Sequence, residues 1–353
     1  MKTQLIALFA AAISLGVPAA QVVAADPPKG QLSVAEMAVY QGPDRQELLL
    51  AAAKKEGGEM SVYHVYPSLP SIIAAFTTQY GIKVKAWRSG SEGVLQKVTS
   101  EAKGGRFDVD IVQNNAPENE AAYRENLLQE VQSPYLKDLL PQASPMHKAW
   151  VGFTLDVYIG AYNTNKVKRD ELPKTYQDLL DPKWKGRLGI EVDDVGWFAT
   201  LSAALGEKQA QKLFADIVAT NGISVRKGHS LLTTLVASGD VPYALTVYSW
   251  NPEQLKQKGA PVEGYPLQPV IAQFSTIAIL KKAPHPYSAL LFYDFILNEG
   301  QQLLANQKFV PASKKFATPI TKIPLKLIDP VAALDMQDKW VKIYESTVTK
   351  AGK

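Results

Sequence analysis

Cysteine is absent from all 353 residues, and this absence excludes several kinds of chemistry. The chain can form no disulfide, no zinc–thiolate centre and no cysteine nucleophile, and no cysteine is present to carry a lipid. A chain of this length buries enough apolar surface to fold without covalent crosslinks. We therefore expect a fold held together by its hydrophobic core and a protein without a lipid anchor.

Long apolar runs are also lacking beyond the N-terminus, where no segment approaches the about 20 apolar residues of a membrane-spanning helix. The first residues differ, because Lys2 precedes an apolar run over residues 5–15 and small residues at 23–25. This order is typical of a secretory signal peptide. We predict a signal peptide over residues 1–25, cleaved after Ala25, and a soluble mature protein in the periplasm.

Strong charge of either sign is missing as well. The formal net charge is only +4, and no dense run of lysine and arginine stands out. Nucleic-acid-binding domains usually carry such a basic patch. We therefore expect no nucleic-acid partner.

Enzyme motifs are the next absence. The four histidines, at positions 64, 147, 229 and 285, are scattered, and the sequence contains no HExxH, no G-x-S-x-G, no P-loop and no dinucleotide fingerprint. We predict a binding protein that is not an enzyme and needs no cofactor. A secreted enzyme or a sensor protein with an unrecognised site remains the alternative from another functional class.

What the sequence does contain is a repeated alternation of strands and helices. MSVYHVY, IKVKAW and DVDIVQ read as strands separated by helical segments, and LGIEV, PYALTVYS and their helices repeat the pattern later. Such alternation predicts βαβ units with a parallel sheet. Two longer extended stretches, VGFTLDVYIGAYN and QPVIAQFSTIAIL, separate the blocks. We therefore predict an α/β protein with two lobes joined by two crossing strands.

These patterns also suggest boundaries. Residues 26–42 are predicted to be an N-terminal lead-in, residues 43–154 with 272–318 the first lobe, and residues 158–268 the second lobe. A helix is predicted over residues 286–305. Residues 319–353 are predicted to be a C-terminal segment with a helix that packs on the second lobe, and its apolar positions, Ala333, Met336, Trp340 and Ile343, recur at helical spacing.

Three stretches resemble a known family. PDRQELLLAAAKKEGGEMSVYH, YNTNKVKRDELPKTYQDLLDPKWKGRLGIE and TIAILKKAPHPYSALLFYDFILNEGQQLLA are similar, in order and spacing, to extracellular solute-binding proteins of ABC importers. The likeness is greatest for the branch that binds ferric iron, polyamines, thiamine and phosphonates. It implies a type 2 periplasmic-binding fold, a ligand cleft between two lobes, and delivery of a small-molecule ligand to an inner-membrane ABC permease by a monomeric protein.

In such a fold the loops after strands face the cleft, so polar and aromatic residues in these loops are the candidate ligand contacts. Arg88 and the Ser-Gly-Ser helix start suit an anionic group, whereas adjacent aspartates suit an amine or a hard cation. The candidates are Tyr63, His64, Tyr66, Arg88, Ser89, Ser91 and Asn114 in the first lobe, and Asp193, Asp194, Trp197, Arg226, His229, Tyr248 and Trp250 in the second.

Ferric iron can be weighed against an organic solute. Phenolate, carboxylate and imidazole groups suit ferric iron, and an iron site would use His64, Tyr66, Asp193 and Tyr248. The resemblance implies two neighbouring tyrosines in iron-binding members, but Ser249 follows Tyr248 here. The sequence therefore favours a small polar organic solute, either amino-bearing, zwitterionic, carboxylate or phosphonate, with a ferric-iron-binding protein as the alternative.

Overall fold

The computed structural model describes residues 32–350, so the predicted signal peptide lies outside the described residues. The strands form one mixed sheet flanked by helices. They are β1 (Glu59–His64), β2 (Lys83–Arg88), β3 (Ile111–Asn115), β4 (Val151–Asn163), β5 (Leu188–Glu191), β6 (Ser224–Arg226), β7 (Tyr243–Tyr248), β8 (Val262–Tyr265), β9 (Val270–Ile279), β10 (Val310–Pro311) and β11 (Leu325–Leu327).

The α-helices alternate with these strands over most of the chain. They are α1 (Val34–Val39), α2 (Arg45–Lys55), α3 (Leu69–Tyr80), α4 (Ser91–Lys103), α5 (Ala116–Arg124), α6 (Val195–Leu205), α7 (Glu207–Asn221), α8 (His229–Ser238), α9 (Trp250–Gln257), α10 (Pro286–Leu297), α11 (Glu299–Asn306), α12 (Pro330–Asp335) and α13 (Gln337–Tyr344).

The sheet order explains how the two α/β blocks are joined. Along the main path the strands lie in the order β2-β1-β3-β9-β4-β7-β5-β6. The outer groups, β2-β1-β3 and β7-β5-β6, are parallel. Between them β9 and β4 run antiparallel to each other and to their outer neighbours. The two long strands therefore connect the blocks, as the two extended stretches of sequence predict.

Apolar side chains form two clusters, one centred on each block. Phe76 and Phe292 lie in the first, and Trp197 and Phe214 lie in the second. Both long strands are buried throughout. The first cluster also takes in Trp250 from the predicted second lobe, so the two blocks share apolar contacts across the central strands.

Three helical segments differ from the sequence pattern. The lead-in contains α1, which Ser33 and Glu36 cap reciprocally. The helix predicted over residues 286–305 is broken at Asn298, whose backbone leaves the helical conformation. The predicted C-terminal helix is also two helices, separated at Met336, which is 42% exposed and does not belong to the apolar face expected of it.

The C-terminal helices contact both blocks and not the second alone. Helix α12 packs on α5, where Arg124 and Asp335 form an ion pair of 2.5 Å. Helix α13 packs on α6, with the ring centroids of Trp340 and Phe198 6.2 Å apart. In residues 32–350, no helix combines the length and apolar composition required to cross a membrane.

The turn that leads into β5 is built from short 3-10 helices. Thr175 precedes one that spans Tyr176–Leu180, and the Asp178 carboxylate accepts the backbone N–H groups of Lys174 at 2.8 Å and Thr175 at 3.0 Å. These hydrogen bonds lower the pKa of Asp178. In the sequence TYQD, the Asp178 side chain therefore caps the start of this short helix by accepting backbone N–H groups.

We expect Asp178→Ala to lower the free energy of unfolding by about 1 kcal/mol, because two N–H groups lose their shared acceptor. Chemical denaturation measures this value. Gln177→Ala, at the neighbouring exposed position of the same short helix, is the matched control and should change stability by less than about 0.5 kcal/mol. Equal effects of the two substitutions would show that Asp178 does not act as a cap.

Candidate functional site

Polar side chains from several strand ends converge where the two blocks meet. Tyr66 follows β1, Glu191 ends β5, His229 begins the helix after β6, and Tyr248 ends β7. In open α/β sheets the carboxyl ends of strands are the usual place for ligands. The chain thus brings residues far apart in sequence to one location.

Glu191, Asp194 and His229 form the centre of this group. One ligand atom from each of the three lies within 4.8 Å of the others, a spacing that can hold a metal ion. Asp194 Oδ1 and His229 Nε2 are 3.3 Å apart. Glu191 and Asp194 are buried, and only 13% of the His229 side chain is exposed.

Backbone groups hold the Glu191 carboxylate in place. Its Oε1 accepts the N–H of Gly228 at 2.8 Å, and its Oε2 accepts the N–H of Asp193 at 2.5 Å. Gly228 has a φ of +96°, a conformation that residues with a Cβ rarely adopt. The glycine therefore allows the loop before α8 to turn its N–H toward the carboxylate.

Two tyrosines pack beside the histidine. The ring centroid of Tyr248 lies 3.9 Å from that of His229, and the ring of Tyr158 lies 5.1 Å from Tyr248 and 5.8 Å from His229. Tyr158 and Tyr248 are direct partners across β4 and β7. The amide of Gln273, on β9, donates to the Tyr248 hydroxyl at 3.0 Å.

Asp156, on β4, connects this group to both blocks. Its Oδ1 accepts the Trp250 Nε1–H at 3.1 Å and the Tyr66 hydroxyl at 3.5 Å. Trp250 begins α9 in the second block, and Tyr66 belongs to the first. We refer to seven residues together as the tyrosine–carboxylate cluster: Tyr66, Asp156, Tyr158, Glu191, Asp194, His229 and Tyr248.

Burial and mutual repulsion shift the pKa values of the cluster. Burial, followed by the neighbouring Asp194 carboxylate, raises the pKa of Glu191 to about 7. Burial also raises the pKa of Asp156 to about 6. Burial by itself lowers the pKa of His229, but the Asp194 carboxylate and its hydrogen bond outweigh it and bring the value to about 9. The site is thus acidic, with one imidazolium among three carboxyl groups.

The phenols are protonated in the absence of a cation. Burial, with the nearby carboxylates and phenols, raises the pKa values of Tyr66, Tyr158 and Tyr248 well above the ordinary range. Two buried atoms, Asp194 Oδ2 and His229 Nδ1, have no hydrogen-bond partner within the described part of the chain. Unpaired polar atoms in a buried site are unfavourable, so these two are available to a ligand.

Five of the residues singled out from the sequence come together here. Tyr66, Asp194, His229 and Tyr248 belong to the cluster, and Trp250 hydrogen-bonds to it through Asp156.

Four first-block candidates have other partners. The Tyr63 hydroxyl lies 3.0 Å from a Glu101 oxygen, and the His64 Nδ1 lies 3.0 Å from the Tyr66 carbonyl. Arg88 is exposed, and its Nε donates to the Val65 carbonyl. Ser89 N–H donates to the His64 carbonyl.

The start of α4 is held by amide side chains. Asn114 Nδ2 donates to the Ser91 carbonyl at 3.0 Å, and Asn115 Nδ2 donates to the Ser91 hydroxyl at 2.8 Å. The Ser91 carbonyl and hydroxyl thus have partners within the fold.

Three second-block candidates point elsewhere. The Asp193 side chain is 68% exposed and lies 3.9 Å from Lys227. Trp197 is buried in the second apolar cluster, against Phe214. Arg226 is exposed and donates to the carbonyl of its own neighbour Val225. Of the four residues named for iron, Tyr66 and Tyr248 belong to the cluster, whereas His64 and Asp193 do not.

Asp156, Tyr158 and Glu191 were not among the sequence candidates. A lone carboxylate inside the otherwise apolar segment VGFTLDVYIGAYN is a usable signal for Asp156, because buried carboxylates require partners. Glu191 ends the strand LGIE two residues before the predicted aspartates. Tyr158 has no such signal, because its role depends on which residue of β7 lies opposite it.

Comparisons with known proteins identify the family of the chain. The sequence profile of the bacterial extracellular solute-binding proteins matches residues 71–325. Iron uptake protein A1 of a Synechocystis strain is 28% identical over 311 residues, covering 79% of this chain and 83% of that protein. The Fe(3+)-binding periplasmic protein of Serratia marcescens is 28% identical over 185 residues, covering 52% of this chain and 54% of that protein.

Solved structures show the same fold. Iron-bound HitA from Pseudomonas aeruginosa has a TM-score of 0.70 at 24% identity, covering 81% of this chain and 97% of its own. AfuA from Actinobacillus pleuropneumoniae, with bound fructose-6-phosphate, has a TM-score of 0.72 at 20% identity, covering 83% and 99%. The predicted α/β architecture, a type 2 periplasmic-binding fold, is thereby confirmed.

Proposed function

The chain belongs to the bacterial extracellular solute-binding protein family, and from this membership we propose that it captures ferric iron in the periplasm for an ABC importer. The observation that carries the proposal is the buried tyrosine–carboxylate cluster. Carboxylate, phenolate and imidazole groups are suitable ligands for ferric iron. Glu191, Asp194 and His229 hold the cation, and Tyr158 and Tyr248 lie beside it.

The charge of the cluster supports a cation as cargo. Glu191, Asp194 and Asp156 contribute three carboxyl groups, and His229 is the cationic group that faces them. Buried charge without a partner is unfavourable, and the raised pKa values of Glu191 and His229 favour protons that reduce the net negative charge of the cluster. A trivalent cation can replace those protons and neutralise the site, whereas an anionic solute would increase the repulsion.

The relatives support the same cargo. Iron uptake protein A1 and the Fe(3+)-binding periplasmic protein both have iron in their names. The organic solute favoured by the sequence is less well supported, because Arg88, its expected anion clamp, is exposed and hydrogen-bonds to Val65. The likeness to AfuA concerns the fold alone.

Capture and release follow from where the cluster lies. Tyr66 approaches from the first block, Glu191, Asp194 and His229 come from the second, and Asp156 and Tyr158 lie on a connecting strand. A ligand that contacts both blocks favours the closed form, since it shifts the equilibrium by its difference in affinity for the two forms. We propose that a secreted, monomeric protein closes on iron and presents it to an inner-membrane permease.

We expect the purified mature protein to bind ferric iron supplied as a weak chelate, with a rise in melting temperature and a visible phenolate-to-iron absorption band. Tight binding to the folded state must raise stability by mass action. The same thermal assay is run with a panel of polyamines, carboxylates, phosphonates and sugar phosphates. Stabilisation by an organic compound but not by iron would reverse the assignment in favour of an organic solute.

Two tyrosine variants make this experiment specific. Tyr248→Phe should weaken or shift the absorption band, because Tyr248 lies against His229. Tyr162→Phe is the control, since Tyr162 lies on β4 but donates to Glu263, outside the cluster. A band unchanged in Tyr248→Phe would show that this phenol is not a ligand.

A further inference from the structure

The end of β5 depends on a side chain from the C-terminal helix. The β5–β7 ladder reaches only as far as the pair Gly189 and Ala244. Beyond it, the Glu191 N–H donates to the Thr246 hydroxyl at 3.3 Å, and the Glu191 carbonyl accepts the Tyr344 hydroxyl at 2.6 Å. Two side chains thus replace the β7 partner at the residue that carries the carboxylate, while on its other side Glu191 pairs with Arg226 of β6.

We propose that Tyr344 is a positioning residue for iron binding, fixing the Glu191 backbone and through it the Glu191 carboxylate. This inference rests on the proposed function. Tyr344 is 1% exposed, so its hydroxyl bond to the Glu191 carbonyl is shielded from water. Without the hydroxyl, a buried carbonyl loses its partner, which favours a shift of the strand end.

A shift of this strand end moves the metal-binding group directly. The Glu191 carboxylate accepts the N–H groups of Asp193 and Gly228, and both loops contribute to the site through Asp194 and His229. A displaced Glu191 therefore changes the spacing of all three groups. Metal sites are sensitive to such displacement, because residues that orient ligands typically contribute 10- to 100-fold in metal affinity.

The C-terminal segment that carries Tyr344 contacts both blocks. The ring of Tyr344 packs 5.4 Å from that of Phe198, on α6. The preceding helix, α12, packs on α5 of the first block, where Asp335 pairs with Arg124. The C-terminal segment therefore links the first block to the ligand-bearing end of β5, a connection outside the two crossing strands.

The test is Tyr344→Phe in the full mature protein, with Tyr243→Phe as the matched control. Tyr243 is also fully buried in the second apolar cluster, but its hydroxyl has no hydrogen-bond partner among the described residues. In the iron-free protein we expect Tyr344→Phe to accelerate hydrogen exchange of the Asp193 and Gly228 amides by about tenfold or more, which corresponds to 1.4 kcal/mol or more. Tyr243→Phe should leave both amides unchanged.

Iron affinity provides the second measurement. We expect Tyr344→Phe to weaken ferric iron binding by about 10-fold, and to have no further effect in a Glu191→Gln background, because both substitutions act on the same carboxylate. A structural effect on the fold as a whole would instead give independent, multiplicative losses. Such multiplicative losses, or unchanged exchange at the two amides, would overturn the proposal.

The two measurements also separate this inference from the proposed function. If the parent protein fails to bind iron, the cargo assignment is wrong, yet faster exchange at Asp193 and Gly228 in Tyr344→Phe still shows that Tyr344 positions the Glu191 carboxylate. If the parent binds iron and the two amides do not respond, the cargo stands and the role of Tyr344 is refuted.

Discussion

Replacing Asp194 by asparagine is expected to weaken ferric iron binding by more than about 100-fold. Asp194 is 3% exposed, lies 3.3 Å from the His229 imidazole, and has one carboxylate oxygen without a hydrogen-bond partner. Asparagine keeps the shape but removes the charge that neutralises the cation. Loss of a ligand should exceed the 10- to 100-fold effects typical of residues that only orient ligands. Competition titration against a chelator of known iron affinity measures the change.

The neighbouring residue is the matched control for this substitution. Asp193→Asn removes the same charge one position earlier, but that side chain is 68% exposed and lies near Lys227. We expect less than about a threefold change, because water screens an exposed charge. Equal losses in the two variants would mean that the site depends on overall negative charge and not on direct ligation by Asp194.

A second large effect is expected in the pH dependence of the iron-free protein. The pKa of Glu191 is about 7 in the folded protein, above its ordinary value of 4.5. The unfolded chain therefore loses this proton first as the pH rises, and folding stability falls between pH 4.5 and 7. The shift corresponds to about 3 kcal/mol at most. His229 also lowers folding stability as the pH rises. Its pKa is about 9 in the folded protein, above its ordinary value of 6.5, so the stabilisation from its imidazolium charge is lost between pH 6.5 and 9.

The variant Glu191→Gln should reduce the fall in folding stability between pH 4.5 and 7. The comparison uses the difference in the free energy of unfolding between pH 5 and pH 7.5, since glutamine also loses one backbone N–H contact at every pH. Glu125→Gln, at an exposed position, should leave the difference unchanged. If Glu191→Gln retains the full decline, then Glu191 is ionised without a penalty and does not store a proton.

The same electrostatics links stability to cargo. In the absence of a cation, protons on Glu191, His229 and the phenols of Tyr158 and Tyr248 compensate the cluster near neutral pH, and Asp156 holds one below about pH 6. A bound cation must displace them, so affinity for iron should rise with pH. One arrangement of buried carboxyl groups therefore predicts two properties. The folding stability of the iron-free protein falls toward neutral pH, and bound iron restores it.

Much of the fold follows from local sequence patterns. The segment VGFTLDVYIGAYN forms β4 with the predicted ends, Val151–Asn163, and the helix before Gly81 ends at that glycine, which is left-handed with φ +71°. These features depend on neighbours in the chain. Asn298 and Met336 interrupt helices that the apolar periodicity predicts to be continuous, because packing on different neighbours outweighs the local preference.

The candidate site was only partly predictable for a physical reason. The pattern GIEVDD places three carboxylates at a strand end, but the turn after β5 decides that Asp194 is buried and Asp193 exposed. His64 belongs to the expected loop, yet its ring hydrogen-bonds to the Tyr66 backbone. The direction in which a side chain points at a turn depends on contacts with other elements. The local sequence pattern therefore does not predict it.

The sequence by itself determined the absence of disulfides, the alternation of strands and helices, and the two long strands that join the blocks, since composition and periodicity are local properties of the chain. Only the tertiary structure decided that Tyr158 lies opposite Tyr248, that Asp156 meets Tyr66 and Trp250, and that Tyr344 reaches Glu191. Those contacts join residues up to 153 positions apart. Strand register and helix docking create them, and both arise from packing over the whole molecule.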